Sequence, residues 1–97
     1  MIIYVAHKAD GQTVNIERAK KILRELQAND LDNTYICPLT ALVHIWGTDI
    51  DYQDEMELRL DLLSVSDVLL VASEITETVQ REIDFANEIH MEVRWLE

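Results

Sequence analysis

The chain has 97 residues, 48% of them apolar and 28% charged, which suits one globular domain and leaves no room for a second. A net charge of −11 argues against a nucleic-acid polymer or an anionic membrane as partner, though not against a single nucleoside or nucleotide held in a pocket. Two glycines and one proline leave nothing for linkers, no apolar run approaches the roughly 20 residues of a membrane span, and the lone Cys37 excludes an internal disulfide and fits a reducing cytoplasm.

Taken in order, the apolar residues 2–6 predict a first strand ending at His7. Met1 to Ala6 carry neither the basic lead nor the cleavage site of a signal peptide. The turn Lys8 to Gly11 precedes a helix from about Thr13 to Ala28. Its positions Ala19, Ile22, Leu23 and Leu26 keep helical spacing against a solvated basic and acidic face. Asn29, Asp30, Asp32 and Asn33 break it. Thr34 to Cys37 read as a short second strand closed by Pro38. The stretch Leu39 to Ile50 is apolar but irregular, punctuated at Trp46 and Gly47, and predicts a loop with one helical turn.

Tyr52 to Val65 predict the next helix. Asp49, Asp51, Asp54 and Glu55 crowd its start, where carboxylates suit the helix dipole. A calcium loop is the weaker reading of these acids, since the glycine and closing glutamate of such a loop are missing. Met56, Leu60 and Leu63 line one side of the helix, and Leu58, Leu62 and Val65 line another. A helix apolar on two sides is buried twice. In so small a chain the second burial is expected against another subunit, in a homodimer or higher homo-oligomer built on residues 52–65. Asp67 to Ala72 form a continuous apolar third strand, a helix runs from about Thr76 to Ile89, and Met91 to Leu96 are the fourth strand.

Strands of this kind alternating with helices belong to parallel sheets. Right-handed crossovers then predict a small three-layer α/β domain over residues 1–97, flavodoxin- or Rossmann-like. Its four-stranded parallel sheet has the order 2-1-3-4, with helices on both faces. The switch point falls between the first and third strands, where such sheets bind ligands. His7 and Ser73 are expected beside that crevice, with the start of the last helix closing one side.

The last helix carries the sharpest feature. Stepping about 100° per residue, Val79 and Ala86 fall to one side of Glu82, and Thr78, Phe85 and Ile89 to the other. Gln80, Asp84, Asn87 and Glu88 take the opposite half. Glu82 is therefore aimed at the core, where a carboxylate must be paired, neutral or facing a cavity. The plain alternative to a functional role is an ion pair with Arg81, His90 or another helix. Read from the residues alone, Asp61 caps or pairs locally in a leucine-rich stretch, and Tyr4 is a core tyrosine with a satisfied hydroxyl. His7 can orient a ligand or move a proton, whereas His44 and His90 read as ordinary side chains and Cys37 as a buried thiol. Asn15 either touches a ligand or caps its helix.

The segments IYVAH, NIERAKKIL, CPL and above all DLLSVSDVLLVASEITETVQREIDFA give the chain a family likeness over nearly its whole length. It resembles the nucleoside 2-deoxyribosyltransferase-like superfamily and, within it, the small DUF4406-type proteins. That resemblance implies cleavage or transfer at the N-glycosidic bond of a nucleoside or nucleotide. It implies Glu82 as the nucleophile that attacks the anomeric carbon, Asp61 as the assisting acid, and Tyr4 as the strand tyrosine beside the nucleophile. It also implies a neighbouring subunit that completes the site. The chain departs from the pattern at His7-Lys8-Ala9, where the family has a glycine loop, and at Thr76, where the enzymes place an aspartate. It departs again at Thr76-Glu77-Thr78, which replace a Ser-x-Gly, and at Glu97, whose terminal carboxylate stands where the enzymes carry a longer tail. Glu82 and Asp61 are thus the expected catalytic pair, with Tyr4, His7, Asn15, Ser73, Thr76 and Thr78 against the substrate. No metal or organic cofactor is called for. The alternatives are a non-catalytic nucleoside- or nucleotide-binding module of the same fold, and a structural oligomer with a vestigial cleft. A Glu82–Asp61 pair facing one cavity favours the enzyme, and a roomy pocket that Glu82 does not face favours the binder.

Overall fold

A computed structural model describes residues 1–96. Strands β1 (Ile2–Ala6), β2 (Thr34–Ile36), β3 (Val68–Val71) and β4 (Glu92–Trp95) alternate with helices α1 (Thr13–Ala28), α2 (Pro38–Ala41), α3 (Tyr52–Ser64) and α4 (Glu77–Glu88). All strand pairs are parallel, in the order β2-β1-β3-β4. The expected topology is the one observed.

The layers follow from side-chain alternation along β1 and β3. Ile3, Val5, Val68 and Leu70 point to one face and pack with Ile16 and Ala19 of α1, Cys37 and Leu39. Tyr4, Ala6, Leu69 and Val71 point to the other and pack with Leu63 of α3 and Val79, Ile83 and Ala86 of α4. Both inner strands are covered on both sides, which is why their sequences are continuously apolar. Asp67 at the foot of β3 accepts the Ile2 amide at 2.7 Å, fixing β1 and β3 in register. Among the described residues no helix is long and apolar enough to cross a membrane.

The stretch 39–50 holds more structure than one helical turn. Pro38, suited to a first helical position, opens α2, and a 3₁₀ turn follows at Val43–Ile45. Of the second stripe, Leu62 packs against the core, while Leu58 of α3 and Val65 just past its end are exposed among the described residues. The α4 helix ends on His90 at φ 60°, with the Met91 amide donating to the Ala86 carbonyl at 2.8 Å. This left-handed helix terminus leaves His90 in solvent.

Candidate functional site

Glu82 is 0% exposed, on the face of α4 that meets β1 and α3. Its partner is neither Arg81 nor His90 but Tyr4, whose hydroxyl donates to Glu82 Oε2. The other oxygen, Oε1, is buried without a hydrogen-bond partner among the described residues. Burial disfavours the charged carboxylate and outweighs the Tyr4 bond and the Arg59 charge, lifting Glu82 to about 7. The same burial, with Glu82 alongside, holds the Tyr4 phenol well above its ordinary value. Tyr4 is therefore the donor at any ordinary pH.

Arg59 of α3 is 4% exposed. Its Nε and Nη2 donate to Glu55 Oε1 at 3.2 and 2.8 Å, one turn earlier on the helix. Nη1 is buried and unpartnered among the described residues. Burial pulls the guanidinium down, but the Glu55 bonds and the charge of Glu82 prevail, so Arg59 stays charged. The position follows from the helix: at about 100° per residue, Arg59 lies some 40–60° from Met56 and Leu63, both fully buried.

Arg59 also forms part of the wall of a cleft at the carboxyl edge of the sheet. This hollow of about 230 Å³ is bounded by Ala9, Asp10, Gly11, Tyr52, Glu55, Arg59, Thr76 and Thr78. A second hollow of about 230 Å³ shares Gly11 and Glu55 with it and is walled by Ile45, Trp46 and Ile50. The β1–α1 loop turns through two left-handed residues, Asp10 at φ 49° and Gly11 at φ 67°. A Cβ added at Gly11 would meet nothing within 4 Å, so backbone conformation and not crowding calls for glycine there. Tyr52 closes the far side, its hydroxyl 3.1 Å from Thr78 Oγ1 and its ring under the Arg81 guanidinium at 5.5 Å.

Seven of the eight expected site residues divide into three groups, and Asp61 stands apart. Glu82 and Tyr4 are brought together, and Thr76 and Thr78 line the cleft. His7, Asn15 and Ser73 shape it without lining it. His7 Nδ1 lies 2.7 Å from the Lys8 carbonyl, Ser73 Oγ accepts the Lys8 amide at 2.8 Å, and Asn15 Nδ2 donates to the Ala9 carbonyl at 2.8 Å. Together they fasten the β1–α1 loop to the end of β3 and the first turn of α1. Asp61 is the correction. It is exposed on the outside of α3, because at about 100° per residue it stands some 140–160° from Met56 and Leu63. It does not join Glu82. The terminal carboxylate of Glu97 lies outside the described residues.

Sequence reading passed over Arg59, Glu55, Tyr52 and Asp10. A cation on the same stripe as Met56 and Leu63, four residues after a glutamate, is the pattern that marks Arg59. Chemically, a buried carboxyl titrating near neutrality with one oxygen unpaired can act as nucleophile or acid, and the cleft beside it supplies two further carboxyls, Asp10 and Glu55. Comparison with family models, curated proteins and solved structures finds no match for the chain.

Proposed function

We propose that the cleft takes a nucleoside or nucleotide and that Glu82 acts on its N-glycosidic bond, as the nucleophile of a hydrolase or transferase. Membership of the nucleoside 2-deoxyribosyltransferase-like superfamily is part of the same proposal. One observation carries it: the Tyr4 hydroxyl binds Glu82 Oε2 while Oε1 is left unpartnered, next to a cleft wall at the switch point of a parallel sheet. In the first step the Glu82 carboxylate attacks the anomeric carbon. The C–N bond breaks, its electron pair leaves with the base, and the base takes a proton from a carboxyl of the cleft wall, which the attacking water or acceptor base returns in the second step. Water or an acceptor base then displaces Glu82. Retaining chemistry of this kind asks for a second carboxyl roughly 5 Å away, and Asp10 and Glu55, not Asp61, are the acids on the cleft wall.

Glu82 has no exposed surface and does not itself line the cleft. Attack therefore requires the Arg59 wall to move when substrate binds. The same fact supports a second reading, a binding module that sequesters or senses a nucleotide without cleaving it. The buried thiol of Cys37, pushed up to about 11 by burial, fits a reducing cytoplasm in either case. A homodimer or higher oligomer seated on the uncovered stripe of α3 completes the proposal.

Incubation with a panel of nucleosides and nucleoside monophosphates, with and without an acceptor base, tests the first reading by chromatographic release of base. Turnover is expected with at least one member and is expected to fall by at least 10³-fold in Glu82→Ala, on the order of a lost covalent step. Thermal stabilisation by a nucleotide without turnover supports the binding module instead. Neither turnover nor stabilisation removes both.

A further inference from the structure

The charge of Arg59 acts on two acids, Glu55 and Glu82, and the guanidinium is bonded to only one of them. Two of its donors converge on Glu55 Oε1, at 3.2 and 2.8 Å. No hydrogen bond or ion pair joins it to Glu82 among the described residues, although Arg59 Nη1 and Glu82 Oε1 are both buried without partners. A buried guanidinium beside a buried carboxylate with a free oxygen has a strong pull toward pairing. Something must hold it off. Glu55 precedes Arg59 by one helical turn, and its side chain, about a third exposed, looks into the cleft.

We infer that Glu55 is a positioning residue for Glu82: by holding Arg59 against the cleft wall it keeps the guanidinium from closing on Glu82, whose Oε1 stays without an ion-pair partner and able to react. The inference rests on Glu82 as the reacting group and adds the side chain that keeps the neighbouring cation off it. The groups facing Glu82 leave no other candidate for this role. Tyr4 from β1 donates to it, Leu69 and Val71 of β3 are apolar, and the buried Cys37 thiol is neutral at ordinary pH. On α4 itself Arg81 is turned to the Tyr52 ring.

The relay predicts opposite effects at its two ends. In protein carrying ¹³C-labelled glutamate, the Glu82 carboxyl is identified by its loss in Glu82→Gln and titrated directly. Glu55→Ala frees Arg59 to pair with Glu82, and the Glu82 midpoint is expected to drop by about one pH unit or more. Arg59→Met removes the cation and is expected to raise it. Adding Glu55→Ala to Arg59→Met is expected to change nothing further, because the effect travels through the guanidinium. Glu55→Asp, which keeps an acceptor, is expected to restore most of the original midpoint. On turnover, Glu55→Ala is expected to lower kcat more than it changes KM, with the acid limb of the pH profile displaced in step. An unchanged midpoint in Glu55→Ala overturns the inference. So does an equal shift in the presence and absence of Arg59, which would be the direct charge effect of Glu55. Should Arg59→Met not fold, Glu55→Gln takes its place: it removes the charge and keeps an acceptor for Arg59, so a midpoint near the parent's supports the relay and a drop as large as that of Glu55→Ala is the direct charge effect and overturns it. These titrations need no substrate, so a relay that works in a protein without turnover tells against the glycosidic reading and not against the relay.

Discussion

A carboxyl that titrates near neutrality because it is buried leaves a signature in stability. Glu82 has a folded value of about 7 against an ordinary 4.5, so between those two pH values the folded chain holds more protons than the unfolded one. Stability then falls as pH rises through this window. The whole penalty is present above about 7 and absent below 4.5. At about 1.4 kcal/mol per unit, a shift of this size corresponds to roughly 3 kcal/mol. Two acids held low by hydrogen bonds, the half-buried Asp30 and the exposed Glu74, act in the opposite direction, so the informative quantity is the difference between two proteins. Glu82→Gln keeps an acceptor for Tyr4 and carries no charge. It is expected to gain stability relative to the parent as pH is raised from 4.5 to 8, with the two converging at the acid end. Urea denaturation at four pH values measures it. Parallel curves would mean that Glu82 is ionised in the fold at an ordinary pH.

At the level of elements, the two helices that build the cleft are set by different kinds of information. The α4 helix starts where Thr76 Oγ1 accepts the Val79 amide, and Thr76 also lines the cleft. Thr76→Ala is expected to cost about 1 kcal/mol, the usual worth of such a cap. A melting experiment reads the loss, and Thr76→Ser should recover it. A loss no larger than that of an ordinary surface substitution would show that packing of Val79 and Ile83 holds the helix start unaided. The inward aim of Glu82 was legible because α4 has one apolar arc and one polar one, and a carboxylate within the apolar arc stands out. The α3 helix is apolar on two sides. Leucines at 58, 60, 62 and 63 crowd its pattern, and the inward cation Arg59 and the outward acid Asp61 sort by periodicity only once the side of Met56 and Leu63 is known to be the buried one. The strands were legible for the plain reason that β1 and β3 are buried on both faces. The segment between β2 and α3 was not, since a proline-led turn of helix and a 3₁₀ turn are too short to repeat a period. Its Trp46 wall for the second hollow therefore came only with the tertiary structure.

At the scale of the whole molecule, the sheet order places α1 on one face and α3 with α4 on the other, and this second face carries the remaining question of assembly. The outer stripe of α3 is apolar, with Leu58 36% and Val65 66% exposed, and Ile89 at the end of α4 is 43% exposed. Exposed apolar side chains one above the other on a helix, as Leu58 and Val65 are at seven residues' spacing, offer a face for a protein contact. A second copy is the occupant argued for here, because the stripe would pair isologously with itself across a two-fold axis. Its electrostatics make the prediction specific. Each chain carries −11, so two copies repel, and salt screens that repulsion over a length of about 10 Å at 0.1 M. An apolar contact between like-charged chains should thus tighten as salt is raised, opposite to a contact held by ion pairs. Sedimentation equilibrium at low and high salt is expected to show the dimer fraction rising with salt. Leu58→Lys with Val65→Lys is expected to leave a monomer that melts close to the parent monomer, since both positions are exposed and changes there are usually worth less than about 0.5 kcal/mol. A chain that is monomeric at every salt and protein concentration would leave the stripe to a different partner. Should the chain show the proposed turnover and the monomeric lysine variant keep it, the cleft is complete within one chain. If turnover goes with the dimer, the neighbouring copy supplies what Asp61, facing away from Glu82, does not.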